Sequence, residues 1–278
     1  MDTIGLKICN FWMSSKKYTH LFFDLDNTLW DFTSNSYQAL FATLSQLNLL
    51  DKIGSYDLFF KIYSEENDRL WELYRNRKRT KQELRIQRFE AAFARIGIDP
   101  RVDGALLNET YFTEMLNQNK LIDGAQQLLD HLHGKYELAI ITNGFTEVQY
   151  DKLKKSNITR YFRKVFISEE IGASKPGRKI FEHALKSMNA PKKSTLMIGD
   201  NWDTDILGAS KFGIDQVYFN PQLELHFKTL ISGSNSSEID KKNLQKTITP
   251  PFLPPKQITS IKTTTAYISH LDQLLIEL

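Results

Sequence analysis

The sequence predicts an α/β protein: a doubly wound, mostly parallel sheet with an all-helical segment inserted after the first strand. Two patterns of apolar residues support this fold class. Beyond residue 120, short β-rich runs alternate with helical stretches, which is typical of parallel sheets covered by helices. Between residues 33 and 119, apolar residues instead recur three and four positions apart, which is the period of a helix.

The first strand, Tyr18–Phe23, is a short apolar run that stops abruptly at Asp24. Such runs, bounded by turn-forming residues, are typical of buried strands. Residues 27–32 are expected to form a tight turn, and Thr33 or Ser34 is expected to cap the helix that follows. The rest of the helical block is predicted to contain three more helices, over Ser55–Arg75, Thr80–Ile96 and Val102–Asn117.

After the helical block, strands and helices are predicted in turn. The predicted strands are Glu137–Thr142, Lys164–Ser168, Thr195–Ile198 and Gln216–Phe219, with Thr265–Ile268 as an edge strand. The predicted helices are Asp123–Leu132, Glu147–Lys155, one that opens at Pro176, Asp203–Phe212 and the closing His270–Glu277. This alternation is what a doubly wound sheet requires.

These elements divide the chain into an N-terminal extension over residues 1–17, an α/β core over 18–32 and 120–278, and a helical domain over 33–119. Residues 221–265 interrupt the core, because they contain a Gly-, Ser- and Asn-rich run and the proline-rich TPPFLPP. We interpret this stretch as an irregular surface insertion.

Composition excludes several classes of protein. The net charge is only +3, and no nucleic-acid-binding motif is present, so no nucleic-acid partner is expected. No apolar stretch approaches the roughly 20 residues that cross a bilayer, so no membrane partner is expected either. The chain has one cysteine, Cys9, which excludes an internal disulfide framework and fits a cytoplasmic location.

Two carboxylates, Asp24 and Asp26, follow the first strand directly. Open α/β sheets bind their ligands at the carboxyl ends of their strands. Carboxylate oxygens suit Mg²⁺, and a carboxylate can also act as a covalent nucleophile toward a phosphoryl group. The pair therefore points to a metal and phosphate site at this edge of the sheet.

Three later stretches supply further polar groups near the ends of predicted strands or the starts of predicted helices. In the first, Thr142 ends an apolar strand and can donate its hydroxyl to a phosphate oxygen, while Asn143 and Gly144 expose backbone N–H groups near a helix start. In the second, the Lys175 ammonium can offset charge on approaching phosphoryl oxygens. In the third, acidic residues follow the strand that ends at Ile198, among them Asp200 and Asp205.

These four motifs, in this order, resemble those of the haloacid dehalogenase-like (HAD) superfamily of phosphohydrolases. The resemblance implies a Rossmann-like HAD core, and it identifies the inserted helices with the helical cap of one HAD subclass. It implies that Asp24 is the nucleophile that forms an aspartyl phosphate and that Asp26 is the general acid–base. Because haloacid dehalogenases lack an aspartate at the position of Asp26, the resemblance favours a phosphatase over a dehalogenase.

The same resemblance assigns the remaining roles. The implied catalytic residues are Asp24, Asp26, Thr142 and Lys175. The implied phosphate-binding residues are Thr142, Asn143, Gly144 and Lys175. The implied ligands of Mg²⁺ are Asp24, Asp26 through its backbone carbonyl, Asp200 and Asp205.

Within the superfamily, the chain looks most like the pyrimidine 5′-nucleotidase branch, whose members include phosphatases of non-standard pyrimidine nucleotides. The likeness rests on the FFDLDNTLWDF opening, on Arg88-Phe89 and on the tail YISHLDQLLIEL. The expected partner is a small-molecule phosphate ester, a nucleoside monophosphate. A phosphoglycolate or sugar-phosphate phosphatase, and a non-catalytic binding protein on this scaffold, remain alternatives. The chain could be a monomer or a homodimer.

A basic run in the helical domain, from Arg69 to Arg88, is interleaved with Trp71, Tyr74 and Phe89. One interpretation is that one or two of its cations contact the substrate. The pattern favours the other, in which the charges form a solvated helix face and the aromatic rings pack inward.

Overall fold

The computed structural model describes residues 18–221 and 265–278. The predictions for the extension over 1–17 and for nearly all of the 221–265 insertion lie outside the described residues. The described chain forms two compact units. Residues 18–30, 121–149, 157–221 and 265–278 belong to the first unit, and residues 31–120 and 150–156 belong to the second.

The second unit is helical. Its main helices are α1 (Phe32–Gln46), α2 (Tyr56–Arg75), α3 (Lys81–Arg95) and α4 (Gly104–Leu116). Their N-termini carry the side chains that capping requires: Ser55 caps α2, Thr80 forms a capping box with Glu83 at α3, and Asp103 caps α4.

The predicted cap of α1, Thr33 or Ser34, was wrong by two or three residues. The helix begins at Phe32, and the Asp31 carboxylate accepts the Ser34 N–H at 2.9 Å. Asp31 also pairs with Lys120 at 2.8 Å. An aspartate is among the strongest N-cap residues, and it lies close enough to the tight turn to begin the helix before Thr33 is reached.

Arg88 belongs to the interior of the helical unit. It lies on α3, is buried, and donates to Asn67 of α2 at 3.4 Å and to Asn108 of α4 at 2.9 Å. Its guanidinium also lies over the rings of Phe89 and Tyr111, with the Arg88 Cζ 4.9 and 4.8 Å from the ring centroids. Arg88 therefore links three helices, while a substrate contact by a cation of this run stays a prediction.

The first unit contains a six-stranded sheet in the order β3-β2-β1-β4-β5-β6. The strands are β1 (His20–Phe23), β2 (Glu137–Thr142), β3 (Lys164–Ile167), β4 (Thr195–Gly199), β5 (Asp215–Phe219) and β6 (Thr265–Ile268). All neighbouring pairs are parallel. The strand order reverses at β1, which is where doubly wound sheets place their binding sites.

Helices join these strands. They are α5 (Ala125–Leu132), α6 (Thr146–Lys155), α7 (Ser168–Ile171), α8 (Arg178–Met188), α9 (Leu207–Phe212) and α10 (Leu274–Glu277). A buried apolar cluster joins Phe22 of β1 and Met197 of β4 to Phe181 of α8 and Phe212 of α9. No helix in the described part of the chain is long and apolar enough to cross a membrane.

Two predicted helix starts differ from the structure. Helix α8 begins at Arg178 and not at Pro176, because the Gly177 N–H donates to the Ser174 carbonyl at 2.8 Å and holds Pro176 in a turn. The predicted helix Asp203–Phe212 starts in the structure with a π-helical turn, Trp202–Ile206, and only Leu207–Phe212 is α-helical. Such wide turns are frequent at functional sites.

Candidate active site

The carboxyl ends of three neighbouring strands supply the first residues of the site. Asp24 follows β1 directly, Asp200 follows β4, and Thr142 is the last residue of β2. Because β2, β1 and β4 are adjacent and parallel, these ends meet at one edge of the sheet. The sheet topology therefore brings together side chains that are far apart in sequence.

Lys175 lies between two of the acids. Its Nζ is 2.6 Å from Asp24 Oδ1 and 2.7 Å from Asp205 Oδ1, and only 1% of the residue is exposed. The Asn143 side chain holds the backbone at this point, since its Oδ1 accepts the Lys175 N–H and its Nδ2 donates to the Lys175 carbonyl, both at 2.9 Å. Asn143 therefore positions Lys175 through its side-chain amide.

Asp24, Asp200 and Asp205 form a compact acidic group, in which one carboxylate oxygen from each lies within 4.8 Å of the others. Asp200 Oδ1 accepts the Thr28 hydroxyl at 3.0 Å. Asp205 Oδ2 accepts the Asn201 N–H at 3.0 Å. The Asp26 carboxylate is not a member of this group.

Gly199 makes room for Asp205. A Cβ at Gly199 would lie 2.4 Å from Asp205 Oδ2, which is too close for any side chain. The π-helical turn after β4 carries Asp205 into this space, where its carboxylate is fully buried. The sequence Gly199-Asp200 thus supplies one acid directly and the space for a second.

The acidic group carries more negative charge than Lys175 offsets. Burial raises the pKa of Asp24; Lys175 opposes this rise, and the charges of Asp205 and Asp26 add to it. Burial also raises the pKa of Asp200 well above the ordinary range, as do the charges of Asp24 and Asp205. Burial alone would lower the pKa of Lys175, but Asp205 and Asp24 raise it above its ordinary value, so the lysine stays charged.

These residues fit a divalent cation. Hard cations prefer carboxylate oxygens, and a cation would relieve the repulsion within the acidic group. Asp24 Oδ2 and Asp200 Oδ2 accept no hydrogen bond from the described residues, whereas both oxygens of Asp205 are already engaged by Lys175, Thr204 and Asn201. The oxygens that are free for a metal therefore belong mainly to Asp24 and Asp200.

A second group of contacts connects Asp26 and Thr142 through Gln149 of α6. Gln149 Nε2 donates to Asp26 Oδ2 at 2.9 Å and to Thr142 Oγ1 at 2.7 Å. The Gly144 N–H donates to the same Thr142 oxygen at 3.1 Å. The Gly144 N–H, which was predicted to be available to an anion, is thus directed at Thr142 in this structure.

The sequence analysis did not single out Gln149, although a signal for it exists. The buried face of α6 continues from Phe145 and Val148 through Gln149 and Lys152 to Leu153. This is the spacing of a helix face turned toward a core. A glutamine in the middle of such a stripe has to find polar partners inside the protein.

The structure thus places the predicted residues in two connected groups. Lys175 and the acidic group form one, and Asp26, Thr142 and Gly144 form the other around Gln149. Asp24 and Asp26, which flank the single residue Leu25, link the two groups.

Comparison with known proteins gives consistent matches. The family model of haloacid dehalogenase-like hydrolases matches residues 18–213. Pyrimidine 5′-nucleotidase PynA of Streptococcus pneumoniae is 36% identical over 212 residues, which cover 75% of this chain and 87% of PynA. Pyrimidine 5′-nucleotidase YjjG of Escherichia coli is 34% identical over 205 residues, which cover 73% of this chain and 87% of YjjG.

A solved structure agrees with these matches. The HAD-hydrolase YfnB of Bacillus subtilis, crystallised with magnesium bound, superposes with a TM-score of 0.69 at 31% sequence identity. The superposition covers 75% of this chain and 91% of YfnB. The doubly wound, mostly parallel fold that the sequence predicts is confirmed.

Proposed function

Since the chain belongs to the haloacid dehalogenase-like hydrolases, we propose that it is a Mg²⁺-dependent phosphatase that prefers pyrimidine nucleoside 5′-monophosphates. The family resemblance drawn from the sequence motifs is thereby confirmed, and the chain is a hydrolase. The observation that carries the finer proposal is the buried contact of Lys175 with Asp24 at the end of β1, with Asp26 two residues further on. The similarity to two pyrimidine 5′-nucleotidases supports the substrate class.

In the proposed reaction, an Asp24 oxygen attacks phosphorus and forms an aspartyl phosphate while the bond to the nucleoside oxygen breaks. Asp26 gives its proton to the leaving alkoxide and later takes one from the water that hydrolyses the aspartyl phosphate. The products are a nucleoside and inorganic phosphate, and Asp24 is regenerated.

Lys175 and Thr142 assist this reaction in different ways. The Lys175 ammonium orients the attacking Asp24 oxygen and neutralises charge on the phosphoryl group as it arrives. The Thr142 hydroxyl donates to a phosphoryl oxygen. The backbone N–H of Asn143 completes the phosphate site that we propose, while the Gly144 N–H donates to Thr142 Oγ1 and contributes through that hydroxyl.

The metal would be held by Asp24 and Asp200, with Asp26 and Asp205 completing the proposed set. When bound, Mg²⁺ supplies positive charge to the phosphoryl oxygens and to the crowded carboxylates. We also propose that residues 33–119 act as a cap domain and that the enzyme works in the cytoplasm, which fits its single cysteine.

Phosphate release measured with and without Mg²⁺ tests this proposal. The substrates are UMP, dUMP, dTMP, AMP, phosphoglycolate and a hexose phosphate, and Asp24→Asn is the control variant. We expect metal-dependent release that is fastest from the pyrimidine nucleotides and absent from the variant. Faster release from phosphoglycolate or the hexose phosphate would keep the mechanism but overturn the substrate class. A folded protein that releases phosphate from none of these esters, nor from an aryl phosphate, would favour the binding-protein alternative.

A further inference from the structure

Gln149 is a fully buried side chain whose single amide nitrogen contacts both polar partners in the second group of the site, Asp26 and Thr142. We propose that Gln149 is a positioning residue that fixes the Asp26 carboxylate for proton transfer and sets the direction in which the Thr142 hydroxyl donates its proton. This inference rests on the proposed phosphatase function.

The direction of the Thr142 proton follows from counting donors. A hydroxyl oxygen has two lone pairs and one hydrogen. Thr142 Oγ1 accepts from Gln149 Nε2 at 2.7 Å and from the Gly144 N–H at 3.1 Å, so both lone pairs are in use. The hydroxyl hydrogen must therefore be donated, and no described residue accepts it. A phosphoryl oxygen at the carboxyl end of β2 is an acceptor of the right kind.

The orientation of the Gln149 amide is equally constrained. Reversing it would bring Oε1 against the Asp26 carboxylate, which has no hydrogen to donate when ionised, so the contact with Asp26 would become repulsive. In the observed orientation Nε2 donates to both. Asp26 is therefore held by a neutral donor through its Oδ2 atom at 2.9 Å.

This arrangement leaves Gln149 Oε1 buried without a hydrogen-bond partner among the described residues. An unpaired buried acceptor destabilises a fold, and an apolar side chain of similar length would avoid that loss. A glutamine is thus a poor choice for packing alone. Its presence here is explained by what its nitrogen does for Asp26 and Thr142.

Gly144 packs closely against the same amide group. A Cβ at Gly144 would lie 2.4 Å from Gln149 Cδ and Nε2, so any other residue would displace the side chain. Gly144 therefore donates its own N–H to Thr142, and its lack of a side chain leaves room for Gln149, which also donates to Thr142.

The choice of leaving group gives a test that simple destabilisation would not imitate. The constant kcat/KM reports the steps up to the departure of the alcohol. A nucleoside alkoxide needs the Asp26 proton to leave at that step, whereas p-nitrophenolate leaves without it. Gln149→Met keeps the length of the side chain and removes its donor. We expect kcat/KM of this variant to fall about 100-fold on UMP, the lower end of the range for proton transfer. The loss on p-nitrophenyl phosphate should be at least about tenfold smaller.

Gln126→Met is the matched control. Gln126 Nε2 also donates to a carboxylate and a hydroxyl, those of Asp130 at 3.2 Å and of Tyr161, but these belong to none of the predicted site residues. We expect this control to leave both values of kcat/KM unchanged. Gln149→Leu, which also lacks a donor, should show the same ratio as Gln149→Met and serves if the methionine variant folds poorly.

Three outcomes are possible with these variants. A larger loss on UMP than on p-nitrophenyl phosphate, matching the ratio seen for Asp26→Asn, supports the inference. Equal losses on both esters, or none, overturn it while leaving the phosphatase function intact. A wild-type protein that is inactive on both esters overturns the proposed function and this inference together.

Discussion

Asp200 shows what a single partly buried charge does before any metal is bound. Its carboxylate lies in the acidic group with Asp24 and Asp205, and its hydrogen bond from Thr28 is the only one that it accepts from a described side chain. Burial and the two neighbouring carboxylates raise its pKa, which means that the ionised form destabilises the metal-free fold. An asparagine keeps the shape and the Thr28 contact but carries no charge.

We therefore expect Asp200→Asn to stabilise the protein in EDTA near pH 7. The free energy of unfolding of the variant should exceed that of the wild type, because the pKa of Asp200 is raised in the folded protein. Because its pKa is raised in the folded protein, Asp200 binds more protons in the folded than in the unfolded form once the pH exceeds 3.8, the ordinary pKa of aspartate, so its own contribution to stability falls as the pH rises. The advantage of the variant should therefore vanish in acid and grow toward neutral pH.

Urea denaturation in EDTA at several pH values measures this difference. Asp203→Asn, on the neighbouring turn and outside the acidic group, is the control and should show a much smaller change. A lower stability of Asp200→Asn at neutral pH would mean that the carboxylate gains more from Thr28 than it loses to its neighbours.

At the scale of elements, the helical unit depends on Arg88. This residue of α3 donates to Asn67 of α2 and Asn108 of α4, and its charge lies over the ring of Tyr111. A lysine has a compact ammonium and cannot bridge two separated carbonyl oxygens in the way that a planar guanidinium can. We expect Arg88→Lys to lower the free energy of unfolding by roughly 1–3 kcal/mol, the usual loss when a buried acceptor is left unpaired.

Arg69, in the same basic run, provides a control for the Arg88 variant. Arg69 is half exposed and pairs with Glu66 at 2.8 Å along one helix. Exposed pairs of this kind contribute little, so Arg69→Lys should change the unfolding free energy by less than about 0.5 kcal/mol. Chemical denaturation of the full chain compares the two variants. Equal effects would show that Arg88 does not link the helices.

Elements differ in how far the sequence determines them. The strands were predictable because apolar runs end sharply at Asp24 and Thr142, and the order of the motifs placed their polar ends at one edge. The π-helical turn at Trp202–Ile206 was not, because no local pattern predicts the contacts of Asp205, which pairs with Lys175 and occupies the space that a side chain at position 199 would need. Gln149 was not predicted for a similar reason: a lone glutamine belongs to no motif, and its partners lie on other elements.

At the scale of the whole molecule, the net charge is only +3, but the site brings several acidic side chains close together. The side chains of Asp24, Asp200 and Asp205 lie together at the end of the sheet, where the single ammonium of Lys175 pairs with Asp24 and Asp205. Repulsion within this group destabilises the folded state until a cation binds. Binding of Mg²⁺ to the folded state alone should therefore stabilise the entire first unit.

We expect a saturable rise in the melting temperature when Mg²⁺ replaces EDTA. At a metal concentration 100-fold above Kd the stabilisation is about 2.7 kcal/mol, which corresponds to a shift of about 5–10 °C for a protein of this size. Thermal unfolding measured at constant ionic strength, with NaCl replacing the magnesium salt, separates binding from screening. Asp200→Asn should melt higher than the wild type in EDTA and respond less to Mg²⁺. A shift of equal size with NaCl, or an undiminished response in the variant, would show that the acidic group is not where the cation acts.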